Sequence, residues 1–423
     1  MIGLYRFGTT LMVPFVERVL AKRLARGKED PDRLDERRGI ASETRPEGSL
    51  VWLHAASVGE SLSLLALVDR LRADRPDLNL LVTTGTVTSA RLMGSRLPED
   101  VVHHFVPVDR VTWVRRFLDH WKPDAAIWIE SEIWPNLVHE TARRGVPMAL
   151  VNGRMSDRSF RRWRWANSFA KALIGAFEVC LAQDGDHLRR FQALGISWAA
   201  TAGNLKFAAA PLPVDEEERT AVTEALDGRT VWLAASTHPG EEDIAGAVHL
   251  AARRDHPRLL TIIAPRHPER AERIINALAP RGLQISQRSA GDAIAADTDI
   301  YLADTIGEMG LLYRLCDVVF VGGSLVPHGG HNPLEPAKLG AAIITGPHME
   351  NFADIARQMS ACEGVSTVAD QTALARVVTQ TLADASLRNR LKAAAADVVE
   401  AQKGVLDDLM RHLEPVLPKS DNR

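Results

Sequence analysis

The sequence predicts an α/β protein of two doubly wound domains facing across a cleft, and three observations carry that expectation. First, 423 residues exceed the size at which one hydrophobic core stops growing, so two domains of about 200 residues each are expected. Second, short apolar runs alternate with amphipathic patterns from residue 50 to about 200, and the alternation restarts near 230. Third, the pause between them, AAAPLPVDEEERT (208–220), bears prolines and then acids, as a linker leading into a helix does. The expected divisions are 1–40, 41–207, a linker at 208–228, and 229–423 with its terminal helices.

The first 28 residues hold Arg6, Arg18, Lys22, Arg23, Arg26 and Lys28 against Glu17 alone. At helical spacing Leu4, Leu11, Phe15 and Val19 share one side, with Tyr5, Met12 and Val16 beside them. Arg6, Thr10 and Glu17 fall on a narrow polar strip. A broad apolar arc beside positive charge suits a helix lying on an anionic membrane surface. A helix docked on its own domain fits the same pattern. A signal peptide fits poorly, because Arg6 interrupts the apolar run and no cleavage site follows. Pro14 is expected to kink the segment.

Candidate strands follow at 50–54, 79–83, 101–106, 125–129, 147–151 and 178–181. After the linker they are 230–235, 259–263, 299–302, 317–321 and 341–345. Runs apolar on both faces argue for parallel sheets covered by helices. An Ala-rich helical stretch closes the chain from 370 to about 413. Ligands of such folds sit outside the carboxyl ends of the strands.

Composition excludes several classes. A formal charge of -3 gives no global reason to bind nucleic acid. Cys180, Cys316 and Cys362 are isolated, so neither a disulfide framework nor a thiolate zinc site is expected. No run of 18 uncharged apolar residues marks a membrane-spanning helix. Walker A and GxGxxG patterns are absent, against ATP hydrolysis and nicotinamide chemistry. His328 and His331 are three apart but in a loop with no Asp-x-Asp nearby, so no metal and no cofactor are expected.

Chemistry concentrates where strands end. In His54-Ala-Ala-Ser-Val-Gly-Glu60 an apolar run meets a helix start. From spacing alone Glu60 is either a base for a hydroxyl nucleophile or a residue that stabilises the helix N-terminus. Glu130-Ser-Glu132-Ile-Trp134-Pro135-Asn136 leaves a strand with two carboxylates that cannot both be buried without partners; a solvated loop accounts for one of them. Lys206, in Gly203-Asn204-Leu205-Lys206-Phe207 before the linker, either neutralises developing negative charge or is a surface lysine.

In the second half, Pro265 and Arg266 follow a strand, where arginine suits phosphate. Ile306-Gly307-Glu308 forms another turn before a helix. The glycine-rich run 322–330 leads to His331-Asn332-Pro333-Leu334-Glu335. Paired glycines and a helix start there suit a mono- or diphosphate, and Glu335 suits ribose hydroxyls, unless the turn is purely structural. Finally, 158–165 (RSFRRWRW) packs four arginines among three aromatics. It reads as a nucleic-acid clamp, as a site for a phosphorylated membrane-borne acceptor, or as a solvated helix with its tryptophan inward.

Together HAASVGE (54–60), ESEIWPN (130–136), NGRMS (152–156), GNLKF (203–207), PRHPER (265–270), IGEMGLLY (306–313), FVGGSLVPHGGHNPLEP (320–336) and GPHMENF (346–352) resemble the 3-deoxy-D-manno-octulosonic acid (Kdo) transferase family, in order and over nearly the whole chain. The resemblance implies two Rossmann-like domains of the GT-B architecture, 41–207 binding the acceptor and 229–423 the donor. It implies an inverting, metal-independent enzyme that uses CMP-Kdo and a phosphorylated lipid A precursor at the cytoplasmic face of the Gram-negative inner membrane. It also implies Glu60 as base, with Glu130 and Lys206 assisting the transition state. CMP would be held by Pro265, Arg266, Ile306, Gly307, Glu308, Asn332, Pro333, Leu334 and Glu335. Members often carry a more hydrophobic anchor than this N-terminus, so peripheral attachment is expected. A UDP-sugar transferase of the same fold and a noncatalytic membrane-surface protein are the rival readings.

Overall fold

A computed structural model describes residues 2–130 and 132–419. The chain forms two compact units, one built from the residues up to Ala209 and from Gln402 onward, the other from Ala210–Ala401. The first holds β1 (Leu50–Ala55), β2 (Asn79–Thr84), β3 (Val102–Phe105), β4 (Ala125–Ile129), β5 (Met148–Gly153), β6 (Val179–Ala182) and β7 (Ala200–Thr201). The second holds β8 (Thr230–Thr237), β9 (Leu259–Pro265), β10 (Ile285–Gln287), β11 (Ile300–Leu302), β12 (Val318–Val321), β13 (Ala342–Thr345) and β14 (Ser366–Thr367).

Both sheets are parallel and doubly wound, in the orders β3-β2-β1-β4-β5-β6-β7 and β10-β11-β9-β8-β12-β13-β14. The strand order reverses beside β1 in one and β8 in the other, which opens a crevice at their carboxyl ends. The central strands form because they are apolar on both faces: every residue of β1 is buried, and β4 and β9 likewise. Helices cover them on both sides, with Trp52, Trp128 and Phe117 in one layer and Leu64, Leu67 and Leu71 in the other. The buried indoles of Trp52 and Trp232 need acceptors. Trp52 donates to Thr83 Oγ1 at 2.8 Å and Trp232 to Thr261 Oγ1 at 2.7 Å, the same device in both sheets.

The C-terminal boundary differs from the expected one. Residues from Gln402 onward return to the first unit rather than ending the second. Leu409, Leu413, Val416 and Leu417 join the core under the helix Val58–Asp74, and Arg70 pairs with Asp407 at 2.5 Å. Their apolar face needs a partner, and that helix supplies one. The expected linker is also shorter, because Glu216–Leu226 is a helix of the second unit, capped by Asp215.

The N-terminal segment is two helices, Ile2–Leu11 and Val13–Ala25, broken at Met12 with Pro14 in the first turn of the second. Arg6 and Glu17 of its polar strip turn onto the rest of the first unit, while Thr10 stays exposed. Arg6 pairs with Glu140 at 2.6 Å, Tyr5 donates to Asp109 at 2.9 Å, and Arg38 pairs with Glu17 at 2.8 Å. Leu4, Phe7, Leu11, Met12, Phe15 and Val19 are left exposed. Tyr5, expected beside the apolar arc, turns inward because the buried Asp109 offers its hydroxyl an acceptor.

Candidate functional site

In the first unit three separate motifs meet. Ser57 caps the helix Val58–Asp74, and Glu60 sits in its first turn at 6% exposure. The Glu60 carboxylate accepts from Ala56 N at 2.7 Å and from Ser57 Oγ at 2.9 Å. Burial and the neighbouring Glu130 carboxylate nevertheless push its pKa up to about 7. Glu130 follows β4 directly, in the left-handed region, φ 62°, an uncommon conformation for a non-glycine residue. Its Oε1 lies 3.2 Å from Lys206 Nζ. Burial first, and then Glu130, raises the pKa of Glu132 as well.

Lys206 is positioned by two asparagines. Asn204 Oδ1 accepts its backbone N–H, and Asn152 Oδ1, at the end of β5, accepts from Leu205 N, both at 3.0 Å. Gly203 precedes them at φ 81°, and a Cβ there would come within 2.6 Å of Val405. The returning C-terminal segment thus packs directly on the lysine loop. A carboxyl group near neutrality beside an ion pair can accept a proton from a hydroxyl and hold charge as it develops.

His54, which opens the first motif, belongs to the core. It is fully buried, its Nδ1 lies 2.9 Å from Thr83 Oγ1, and burial holds its pKa down to about 4.

The second unit gathers Pro265 and Arg266 at the end of β9 and Asn332-Pro333-Leu334-Glu335 at the start of the short helix Leu334–Lys338. Arg266 N donates to Thr237 O at 3.0 Å, which ties the ends of β8 and β9 together. Asn332 accepts from Leu334 N at 3.1 Å, and its amide lies 3.3 Å from Glu335 Oε1. Burial raises the pKa of Glu335, opposed by that amide and by Arg266. Ile306 and Gly307 form an exposed turn after β11. The Glu308 carboxylate is committed to Arg288, 2.5 Å and 2.6 Å away, and to the Thr305 hydroxyl. The backbone of this turn and the exposed Ile306 side chain are left for a ligand.

The glycine-rich run departs from its expected use. The N–H groups of Gly323, Ser324 and Leu325, together with that of His238, all donate to the Glu241 carboxylate at 2.7–3.1 Å. An internal carboxylate fills the place where a phosphate was expected. Glu241 and His238 were missed in the sequence, although a strand running into Thr237-His238-Pro239-Gly240-Glu241 repeats the strand–turn–acidic-helix layout of the Glu60 motif.

In the helix Asp157–Trp165, Trp163 stacks on Phe169 at 6.2 Å while Trp165 is 95% exposed. One tryptophan packs inward as a solvated helix requires, and the other does not.

Comparison with known proteins gives one consistent picture. A family model described as 3-deoxy-D-manno-octulosonic-acid transferase matches residues 32–209. A 3-deoxy-D-manno-octulosonic acid transferase of Rickettsia bellii (strain RML369-C) is 38% identical over 357 residues, 84% of this chain and 85% of its own. That of Haemophilus influenzae (strain ATCC 51907 / DSM 11121 / KW20 / Rd) is 34% identical over 92% of each chain. Among solved structures, a glycosyltransferase from Rickettsia africae ESF-5 superposes with a TM-score of 0.58 at 11% identity, over 89% of this chain and 100% of that one. That likeness is one of fold, the GT-B fold.

Proposed function

Because this chain belongs to the 3-deoxy-D-manno-octulosonic acid (Kdo) transferase family of lipopolysaccharide biosynthesis, we propose that it moves Kdo from CMP-Kdo to a hydroxyl of a phosphorylated lipid A precursor, with inversion and without a metal. The observation that carries this reading is the Glu60 carboxyl, buried beside Glu130 and pushed up to about 7. A base matched to neutral pH is what activation of a sugar hydroxyl asks for.

Glu60 takes the proton from the acceptor hydroxyl as its oxygen attacks the anomeric carbon of Kdo. The bond to CMP breaks on the opposite face, and its electron pair leaves with the phosphate. Lys206, held by Glu130 at 3.2 Å, offers positive charge to the transition state. The second unit holds CMP through Pro265 and Arg266, the backbone of Ile306-Gly307-Glu308, and Asn332-Pro333-Leu334-Glu335.

The acceptor is a lipid, and the N-terminal helices support attachment to an anionic membrane surface. Their apolar residues are exposed because Arg6 and Glu17 are turned inward onto Glu140 and Arg38. Among the described residues no helix is long and apolar enough to cross a membrane, so the attachment we propose is peripheral, at the cytoplasmic face of the inner membrane. The helix Asp157–Trp165 reaches the same end of the first unit through Trp163, Phe169 and Tyr5. Its arginines suit the acceptor phosphates and Trp165 the lipid interface.

The test is transfer to a phosphorylated lipid A precursor, with CMP-Kdo made in situ and EDTA present. Transfer by the wild-type chain and loss with Glu60→Ala is the expected result. Failure of the well-folded wild-type chain, with transfer from a UDP-sugar instead, overturns the donor.

A further inference from the structure

The end of β8 carries a group of imidazoles that the reading above leaves without a role. His238 follows the strand directly, and its Nε2 lies 2.9 Å from Nε2 of His331. The two ring planes differ by 7°. His328 stacks on the His238 ring at 4.0 Å, and His267 meets it edge-on at 5.9 Å. Gly323 lies under the pair at φ 66°; a Cβ there would stand 3.2 Å from the His238 ring and 3.3 Å from that of His331.

The charged groups around the pair are of one sign or already used. From the turn after β9 come Arg266, His267 and Arg270, and from the glycine-rich loop His328. The helix Glu241–Ala252 contributes Glu241, whose carboxylate accepts four backbone N–H groups, and Glu242, which is held by Arg270 at 2.7 Å and Thr237 at 3.0 Å. Burial and these cations push His238 and His331 each down to about 4, so the pair is neutral at pH 7.

We propose that His238 and His331 form a proton-responsive seat for the phosphate of the donor nucleotide, taking up a proton as the phosphate arrives. The proposal rests on the reading of Arg266 and Asn332–Glu335 as CMP-binding residues; Asn332 follows His331 directly, and the Arg266 charge acts on both rings. A neutral pair carries two N–H protons on four nitrogens, one of them spent between the rings. A third proton adds an outward donor and a positive charge without breaking the ring-to-ring bond. The incoming anion supplies the compensation that Glu241 and Glu242 do not. When the bond to the sugar breaks, the phosphate gains negative charge against a pair already charged.

The sign follows from linkage: a ligand that prefers the protonated pair binds more weakly as pH rises through the pKa of the complex. Calorimetry of CMP binding to the full chain in Tris and in HEPES at pH 7.5 counts the protons. Wild type is expected to take up about one proton per CMP and to lose roughly fifty-fold in affinity between pH 6.5 and 8.5. His238→Gln and His331→Gln, checked for folding by circular dichroism, are expected to lose both the uptake and the fall in affinity. A merely structural pair would weaken binding equally at every pH. Binding by wild type without uptake, or uptake that persists in both variants, overturns the proposal alone. Absence of CMP binding to wild type overturns the donor reading and this proposal with it. Should either variant fail to fold, the wild-type profile still decides, since a level profile contradicts the seat.

Discussion

Glu60 and Glu241 occupy the same place in the two units. Each follows the strand beside the reversal of its sheet, β1 or β8, and each sits in the first turn of the next helix. Both are buried, yet their surroundings differ. Glu241 accepts from four backbone N–H groups and is 1% exposed. Glu60 accepts from one backbone N–H and one hydroxyl and faces a second carboxylate, Glu130. Burial raises the pKa of both, but at Glu241 four donors oppose it, while at Glu60 like charge adds to it. A carboxylate with its lone pairs satisfied fastens a loop. One left short of donors is available for proton transfer.

The largest expected effect that sharpens this contrast is at Glu60. Glu60→Gln keeps the shape and removes the base, and should lower the transfer rate about 10³-fold with CMP affinity little changed; near-normal turnover would break the assignment. Next, Glu241→Ala should cost about 3 kcal/mol, because four N–H groups lose their acceptor. It would be read as a fall in the thermal midpoint of the second unit, and an unchanged midpoint would refute the fastening role.

Glu60→Gln should move stability the other way. A carboxyl raised from 4.5 in the unfolded chain to about 7 when folded destabilises the fold progressively as pH rises between those values, a cost fully present above about pH 7. The variant is therefore expected to be more stable than wild type at pH 8, by about 3 kcal/mol, read as a higher melting temperature, and to lose that advantage near pH 4. A smaller effect concerns Glu130→Gln, which removes the like charge and should lower the Glu60 pKa, read as a shift of the acid limb of the rate profile to lower pH.

Much of the architecture was legible in the sequence because β1, β4, β8 and β9 are apolar on both faces and long enough to show it. β7, β10 and β14 were not, since two or three edge residues of mixed burial carry no pattern. The return of residues 402–419 was hidden for another reason: an apolar helix face declares that it needs a partner, not which one. At the site, each motif around Glu60, Glu130 and Lys206 could be picked out, and the structure brings the three together. Which of two similar carboxylates is saturated depends on Gly323, Ser324 and Leu325, more than 80 residues away from Glu241. No local spacing records that. At Gly323, Ser324 and Leu325, Glu241 stands in place of the expected phosphate for the same reason, since the occupant of those N–H groups comes from another motif.

The pH dependence of transfer tests the central claim most directly. If Glu60 is the unsaturated base, kcat/KM for the acceptor, with donor saturating at every pH, should rise with pH through a single group near 7 and level off above it. A rate that stays level from pH 5.5 to 9 would contradict the account and move the base elsewhere.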